Sequence, residues 1–579
     1  MTSSTPLLFP DHPQYWFETM RMLGHTSFGG SEVGEVLATS ASIAAGDQDS
    51  WYDAWLQTAD RVAEGARQDS SRGRLTSARE GFLRAANYYR NADFFLHADP
   101  HDPRVRHAYR LGVRCFEAAI AISRPFEEAV ASSITPVQIP YEGQALRGYL
   151  YRAAQGSDER RPTIVMHNGF DGSAEEMHFF GAEAAAERGF HVLTFDGPGQ
   201  PAAVHDHGLT FRPDWENVVG PVLDFLLAEH GDIVDSDRIA LLGVSLGGVL
   251  APRAAAFEPR IAAVVCNDGV YDALGAVEAL LGLTRAEMEA RWHDPAFSTE
   301  VEAAAAEQPT LRWALDHGLW VMGAADAAEF VRTYAQYHLL DGVAERISCP
   351  VLVCEAASDL FFAGDETSLS QPRQLMAHLS APATLMTFTS AEGADAHCHV
   401  GAQRLAAGRM LDWLAETFAA DPSDPGAPAR STAVTPQTPV SSPAHAVLMR
   451  SIELLAAMDL DGYVDLFAED AVIEFPYAPP DRPRRLDDPS SVRDYVMAIG
   501  AAVTIESFPS LVVHHLTDPH SIVAEVALHG TAVESGAPYD VQYVWILEER
   551  DGRITRFRDY WTPTQTAATT GHAAGEVAP

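Results

Sequence analysis

At 579 residues the chain is long enough for three or four domains, and its apolar (47%) and charged (21%) fractions are those of an ordinary globular protein. A formal net charge of -40 repels phosphate backbones and anionic membrane surfaces, which argues against nucleic acid or a membrane as partner. All 40 basic residues are arginine, so Schiff-base and Ser-Lys chemistry are excluded by inventory.

Five scattered cysteines (Cys115, Cys266, Cys349, Cys354, Cys398) lack C-x-x-C spacing, so neither a disulfide framework nor a zinc site is expected. Met1 to Pro13 carries no basic n-region and no apolar h-region, and no run is long and apolar enough to span a bilayer. The expectation is a cytoplasmic protein without a signal peptide.

Taken in order, residues 1–135 read as an accessory helical domain. Trp51, Trp55, Ala59, Val62 and Ala66 recur at helical spacing, and Phe82 to Phe95 and Arg106 to Ile122 give further apolar stripes. Such a segment could roof a site. From residue 136 to 420 short apolar runs alternate with helical stretches. Val137–Pro140 and Leu146–Leu150 read as an entry hairpin. Thr163–His167, His191–Phe195, Ile239–Leu242, Ile261–Cys266, Val351–Glu355 and Ala383–Thr389 read as buried strands. Continuous Val/Ile/Leu runs between helices predict a doubly wound, mostly parallel α/β sheet. Between about 272 and 345 the rhythm becomes helical only, the usual position for a cap over the strand ends. Residues 421–443, rich in Pro, Ser and Thr, predict a linker. Residues 444–566 then predict helices, Ala444 to Met458 and Leu460 to Phe467 among them, packed on one curved antiparallel sheet, an α+β cone, with Asp551-Gly552 as a tight hairpin. A disordered tail is expected over 567–579.

The chemistry centres on Gly243-Val244-Ser245-Leu246-Gly247, which ends an apolar strand and opens a helix. That context turns a Gly-x-Ser-x-Gly into a nucleophile elbow, with Ser245 on a strained turn that only small neighbours permit. A serine hydroxyl needs a histidine to take its proton and an acid to fix the histidine's tautomer. Asp359 follows the strand ending at Glu355, and two histidines, His397 and His399, lie in the loop after the last strand, either of which completes the order Ser, Asp, His. Asp268, after the sixth strand, is the second choice of acid. The oxyanion hole requires two N–H donors, expected from Leu246 and from Phe170 in Asn168-Gly169-Phe170-Asp171-Gly172. Gly169, Asp268 and His399 are candidate substrate contacts. Phe195-Asp196-Gly197-Pro198-Gly199-Gln200 reads as a structural loop at the cleft edge. No cofactor and no metal are called for.

Tyr88-Tyr89-Arg90, Asn168–Gly172, Phe195–Gln200, Gly243–Gly248, Ser358-Asp359 and Ala396-His397-Cys398 together resemble an α/β-hydrolase group. That group holds 2,6-dihydroxypseudooxynicotine hydrolase, the FrsA-like esterases and the fungal polyketide-shortening hydrolases. The resemblance implies an α/β-hydrolase fold over about residues 14–418 and favours His397 over His399 as the base. It also implies ester cleavage or C–C cleavage beside a ketone. His399, where a glutamine is expected, and Pro201-Ala202, where a glycine and an acid are usual, depart from the pattern. Ile473–Pro479 and Arg558-Asp559-Tyr560-Trp561 resemble SnoaL-like domains, related to polyketide cyclases. Asp559, Tyr543 and Glu474 are the candidates there for an acid–base pair, with dimerisation or covering of the active site the favoured role. The reading is a serine hydrolase of a hydrophobic aromatic or polyketide-like small molecule, acting as a homodimer. The alternatives are an acyl-enzyme cyclase or acyltransferase, and a non-catalytic ligand-binding scaffold.

Overall fold

The computed structural model describes residues 7–123, 133–153, 160–364, 368–419, 442–478, 483–515, 518–533 and 535–561. The expected linker (421–443, nearly all of it) and tail (567–579) lie outside these residues. The chain divides into two compact units, Met1–Val434 and Thr435–Pro579.

The first unit opens with helices Pro13–His25, Val33–Ser40, Gln48–Ser71, Leu75–Ala92 and Pro103–Ser123. Their apolar stripes meet in an aromatic core, in which Trp51 packs against Tyr15 and Trp55 at tilted angles and edge-on against Phe95, at centroid distances of 4.7, 5.9 and 4.9 Å. An eight-stranded sheet follows: β1 (Ile134–Tyr141), β2 (Gln144–Tyr151), β3 (Arg161–His167), β4 (His191–Phe195), β5 (Val234–Val244), β6 (Ala263–Asn267), β7 (Val351–Ala356) and β8 (Ala383–Phe388). Their order is β1-β2-β4-β3-β5-β6-β7-β8. β1 and β2 form an antiparallel hairpin whose turn residues, Glu142 and Gly143, both have positive φ, as a twisted two-residue turn requires. From β4 to β8 every neighbouring pair is parallel. β4, β6 and β7 are buried along their whole length, because helices cover both faces of the sheet. The segment between β6 and β7 carries helices Leu274–Leu281, Arg285–Glu289, Pro295–Glu307, Pro309–Val321 and Ala327–Tyr334, with one isolated antiparallel bridge between Asp272 and His338.

The second unit carries helices Pro443–Ala456, Leu460–Val464 and Pro489–Ala502 and a six-stranded sheet. The strands are β9 (Phe467–Glu474), β10 (Arg485–Leu486), β11 (Val503–His515), β12 (Ser521–Ala532), β13 (Pro538–Arg550) and β14 (Arg553–Tyr560), in the order β10-β9-β14-β13-β12-β11. Alternate residues of β12 are buried, so one face of the sheet packs on the unit's own core. Two details differ from the sequence reading. The helix expected to reach Phe467 stops at Val464, and Phe467 instead starts β9 opposite Ile554. The sheet is also not wholly antiparallel: β9 and β14 run parallel, because no hairpin connects these neighbours. Asp551 and Gly552, both at positive φ, make the tight β13–β14 turn.

Candidate active site

The centre of the first unit's site is the β5–helix junction. Ser245 has φ of 61°, a left-handed conformation that a side-chain-bearing residue adopts only when its surroundings fix it. The turn is closed by Gly243: a Cβ there would sit 2.0 Å from the Gly247 carbonyl oxygen. The Ser245 N–H donates to the Asn267 carbonyl (2.6 Å) and the Gly248 N–H to the Ser245 carbonyl (2.7 Å), which pins the turn between β5 and β6.

Ser245, His397 and Asp359 lie in one hydrogen-bonded row. His397 Nε2 is 2.8 Å from Ser245 Oγ, and His397 Nδ1 is 2.8 Å from Asp359 Oδ2. The loops after β7 and β8 bring the acid and the imidazole to the serine although both are far away in sequence. Asp359 is itself fixed, its Oδ1 accepting from the Phe361 (2.7 Å) and Phe362 (3.1 Å) N–H groups. Asp268 stands behind the imidazole: its Oδ2 is 3.3 Å from His397 Nδ1 and accepts from the Cys398 N–H (2.8 Å), while its Oδ1 is 3.2 Å from His399 Nε2. His397 thus faces two carboxyl groups. Burial disfavours its cation, yet Asp359 and Asp268 outweigh burial and hold its pKa well above the ordinary histidine value. Burial pushes the Asp359 carboxyl up to about 6. Asp268 is held at about 2, where His399 and His397 overcome the burial penalty.

Gly169 packs directly against the elbow, since a Cβ at this position would lie 2.6 Å from Leu246 N and 2.9 Å from Ser245 Cβ. Neither the Leu246 N–H nor the Phe170 N–H has an acceptor among the described residues. The loop that carries Phe170 is anchored by charge. Arg21, from helix Pro13–His25, donates to Glu176 through Nε (2.8 Å) and Nη2 (2.6 Å) and to Asp171 Oδ1 (3.0 Å). Arg90 reaches Glu18 (3.0 Å) and Asp171 (3.3 Å). Asn168 Nδ2 donates to Glu176 Oε2 (3.1 Å). Burial opposes the Asp171 carboxylate, but Arg21 and Arg90 hold its pKa at about 2.

A cavity opens on the row. Phe17 comes from helix Pro13–His25, Trp313 and Tyr334 from the helices between β6 and β7, and Phe170, Phe361 and Phe362 from the strand-end loops. The rings of Phe361, Phe362 and Phe17 stand 5.0, 5.4 and 6.1 Å from the His397 ring and fence it from bulk water. The rest of the wall is mainly apolar, with Gln14, Arg21, Asn168 and Asp171 as polar side chains among it.

Of the expected site residues, Ser245, Leu246, Phe170 and His397 line this cavity, and Asp359 stands directly behind His397. Three expected substrate contacts are not among the residues that line this cavity. Gly169 is taken up by its approach to the elbow. Asp268 and His399 are fully buried behind His397; the His399 ring lies 3.9 Å from that of Phe388, and its Nδ1 is engaged with the Ala394 carbonyl at 3.0 Å. Gln200, read from sequence as part of a structural loop, donates to the Asn168 and Gly169 carbonyls at 2.5 and 3.3 Å. Arg21 and Tyr334 carried no sequence signal beyond an ordinary helical position. Among the described residues one set of metal-type donors lies together, Asp268, His397 and Cys398 within 4.8 Å, and its acid and imidazole already bond one another.

In the second unit Asp559 is buried, accepting from Trp545 Nε1–H (3.1 Å) and the Tyr495 hydroxyl (3.4 Å), and burial raises its pKa to about 7. The Tyr539 and Tyr543 hydroxyls meet at 2.8 Å. Glu474, expected beside them, instead pairs with Arg558 (2.9 Å), Arg556 (3.1 Å) and Arg485 (3.2 Å), because alternate residues of β14 point to opposite faces.

Comparison with known proteins follows the same division. The esterase FrsA-like family matches residues 14–284, and the SnoaL-like domain matches residues 448–557. The chain is 35% identical over 419 residues to hydrolase LUC6 from a Fusarium species, covering 69% of this chain and 96% of that protein. It is 34% identical over 419 residues to 20-hydroxy-prefusarin hydrolase FUS2 of Gibberella moniliformis, covering 70% of this chain and 96% of that one. The crystal structure of 2,6-dihydroxy-pseudo-oxynicotine hydrolase matches with a TM-score of 0.50 at 20% identity, over 68% of this chain and 95% of its own, a likeness of fold. This chain therefore belongs to the FrsA-like family of α/β-hydrolases, alongside fungal hydrolases such as LUC6 and FUS2, and carries a SnoaL-like domain after its hydrolase unit.

Proposed function

We propose that the protein is a serine hydrolase that cleaves an acyl-type bond, either a C–C bond beside a ketone or an ester, in a hydrophobic aromatic or polyketide-like small molecule. The observation that carries this reading is the Ser245–His397–Asp359 row opening on a cavity walled by aromatic rings. In the resting tautomer Ser245 O–H donates to His397 Nε2, and His397 Nδ1–H donates to Asp359. Ser245 Oγ attacks the substrate carbonyl carbon while its proton passes to His397 Nε2. The Leu246 and Phe170 N–H groups receive the oxyanion that forms. Collapse breaks the bond to the leaving group, which departs as an enolate or alkoxide and takes the proton from His397. Water then attacks the acyl-enzyme, His397 again accepting a proton, and the carboxylic acid leaves from a regenerated Ser245.

A β-diketone suits the C–C version of this cycle, because its departing carbon is stabilised as an enolate. The name of FUS2, a hydrolase of 20-hydroxy-prefusarin, supports a polyketide-like substrate. Labelling with a fluorophosphonate followed by peptide mass spectrometry tests the reading. The adduct is expected on Ser245 and is expected to vanish in Ser245→Ala. A folded protein whose Ser245 stays unmodified after long exposure refutes it.

A further inference from the structure

Beside the substrate cavity lies a second one, lined by Asp93, His97, Tyr109, His205, His317 and Trp320 among others. Its wall contains an interaction that the cycle above does not use. His317, on helix Pro309–Val321, is buried and places Nε2 2.8 Å from the Phe170 carbonyl oxygen. Its Nδ1 lies 2.8 Å from His97 Nδ1, and His97 Nε2 lies 3.6 Å from Asp93 Oδ2. Donor and acceptor roles follow from one end. A carbonyl only accepts, so His317 Nε2 carries the proton and its Nδ1 is a lone pair in the neutral ring; His97 Nδ1–H must then be the donor to it. Burial holds both rings neutral, with pKa values lowered to about 3 for His317 and about 4 for His97. The chain of donors therefore runs one way, from His97 through His317 to Phe170.

Phe170 is held from its other side as well. Gln200, fully buried, accepts from the Gly197 N–H (2.7 Å) and donates to the Asn168 (2.5 Å) and Gly169 (3.3 Å) carbonyls. The Gly169 carbonyl belongs to the same peptide group as the Phe170 N–H. The carbonyl before Phe170 and the carbonyl after it are thus each tied to a buried side chain, which fixes both of its backbone torsions. The Phe170 N–H is left without an acceptor among the described residues.

We propose that His317, oriented by His97, is a positioning residue for the oxyanion hole: it sets the Phe170 backbone so that the Phe170 N–H faces the substrate carbonyl oxygen held at Ser245. His97 comes from the turn between helices Leu75–Ala92 and Pro103–Ser123, His317 from the insertion between β6 and β7, and Phe170 from the core loop. Completion of the hole is therefore tied to the seating of both covering elements. The inference rests on the reading of Ser245 as nucleophile and Phe170 as oxyanion donor.

The test uses the full-length protein and a fluorophosphonate, whose phosphoryl oxygen occupies the oxyanion hole when the adduct forms, so no natural substrate is needed. His317→Leu removes the donor and His317→Gln keeps an N–H at similar reach. The expected result is kinact for Ser245 about 10- to 100-fold lower in His317→Leu with KI unchanged, and within about threefold of wild type in His317→Gln. If His317→Leu does not fold, His97→Leu carries the test, with kinact expected about three- to tenfold lower. A kinact equal to wild type, a loss shared equally by the leucine and glutamine variants, or an effect confined to KI overturns the proposal, because a purely packing role predicts those outcomes. Wild-type protein that does not label at Ser245 overturns the nucleophile assignment and this inference with it. Normal Ser245 labelling that the variants leave unchanged overturns this inference alone.

Discussion

Two carboxylates reach the same histidine, and replacing each by its amide separates their roles. Asp359 Oδ2 is devoted to His397 Nδ1 at 2.8 Å, with Oδ1 taken by two backbone N–H groups. Asp268 Oδ2 is farther from the same nitrogen, 3.3 Å, and is shared with the Cys398 N–H. By Coulomb's law the two charges act almost equally on the imidazolium: at an effective dielectric of about 20, each is worth about 5–6 kcal/mol at these separations before desolvation. The difference lies in the hydrogen bond that sets the tautomer. In Asp359→Asn the amide can present N–H to Nδ1, which places the ring proton on Nε2, where it blocks proton transfer from Ser245; a loss of about 10³- to 10⁴-fold in kinact is expected. Asp268→Asn leaves the tautomer in place and removes one charge. Its loss is expected to be about tenfold at most, with the acid limb of the pH–rate profile moved to lower pH. The sign is fixed: the carboxylates stabilise protonated His397, activity needs neutral His397, so the wild-type limb lies above pH 6.5 and removing a charge moves it down. Stopped-time fluorophosphonate labelling between pH 5 and 9 reads both quantities. A folded Asp268→Asn that loses as much as Asp359→Asn at every pH refutes the assignment of Asp359 as the orienting acid.

Three further perturbations probe the frame around the row. Gly243→Ala puts a methyl 2.0 Å from the Gly247 carbonyl oxygen, and more than about 4 kcal/mol of destabilisation is expected, read as loss of the folded protein in thermal or urea melts. Arg21→Met strands Glu176 and Asp171 in the interior with Arg90 as their remaining guanidinium; about 3–5 kcal/mol should be lost, partly restored by Glu176→Gln in the same chain. In the SnoaL-like domain burial lifts the Asp559 pKa from 3.8 to about 7, so the folded form keeps a proton that the unfolded chain releases. Stability of this domain should therefore fall as pH rises from about 4 to about 7 and level off above, by up to about 4 kcal/mol. Urea midpoints at pH 5 and pH 8 check this, and Asp559→Asn should remove most of the difference; an equal pH difference in the variant contradicts it.

The β5–elbow–helix segment was readable because its determinants are local. An apolar run, glycines at the points of closest approach and a following helix are all neighbours in sequence, and backbone sterics leave little choice of structure. Asp359 and His397 were readable for a topological reason: in a parallel sheet, loops after the strands gather at one edge, so an acid and a histidine in such loops converge. What sequence order does not encode is distance. Asp268, Asp359, His397 and His399 all occupy loops of that edge, and the difference between 2.8 and 3.3 Å that ranks the two acids arises from packing. The side chain of His399 turns towards Phe388 and Asp268, a choice made by an aromatic ring contributed by β8.

The residues that hold the loop carrying Phe170 were invisible for the same reason carried further. Arg21 and Glu176 are 155 positions apart, and His317 and Phe170 are 147 apart. Within its own helix Arg21 pairs with Glu18 like any surface arginine, and His317 occupies an unremarked turn of a capping helix. Only the folded chain shows that both end on the loop carrying Asn168 to Glu176. Tyr88-Tyr89-Arg90 gains a physical meaning here, since Arg90 closes the charge network on Glu18 and Asp171. The N-terminal helices thus do more than cover a hydrolase core. Through Arg21, Arg90 and His97 they supply the contacts that keep the Phe170 loop in place, so a core expressed without them would have Ser245 and His397 but no guanidinium for Asp171 or Glu176.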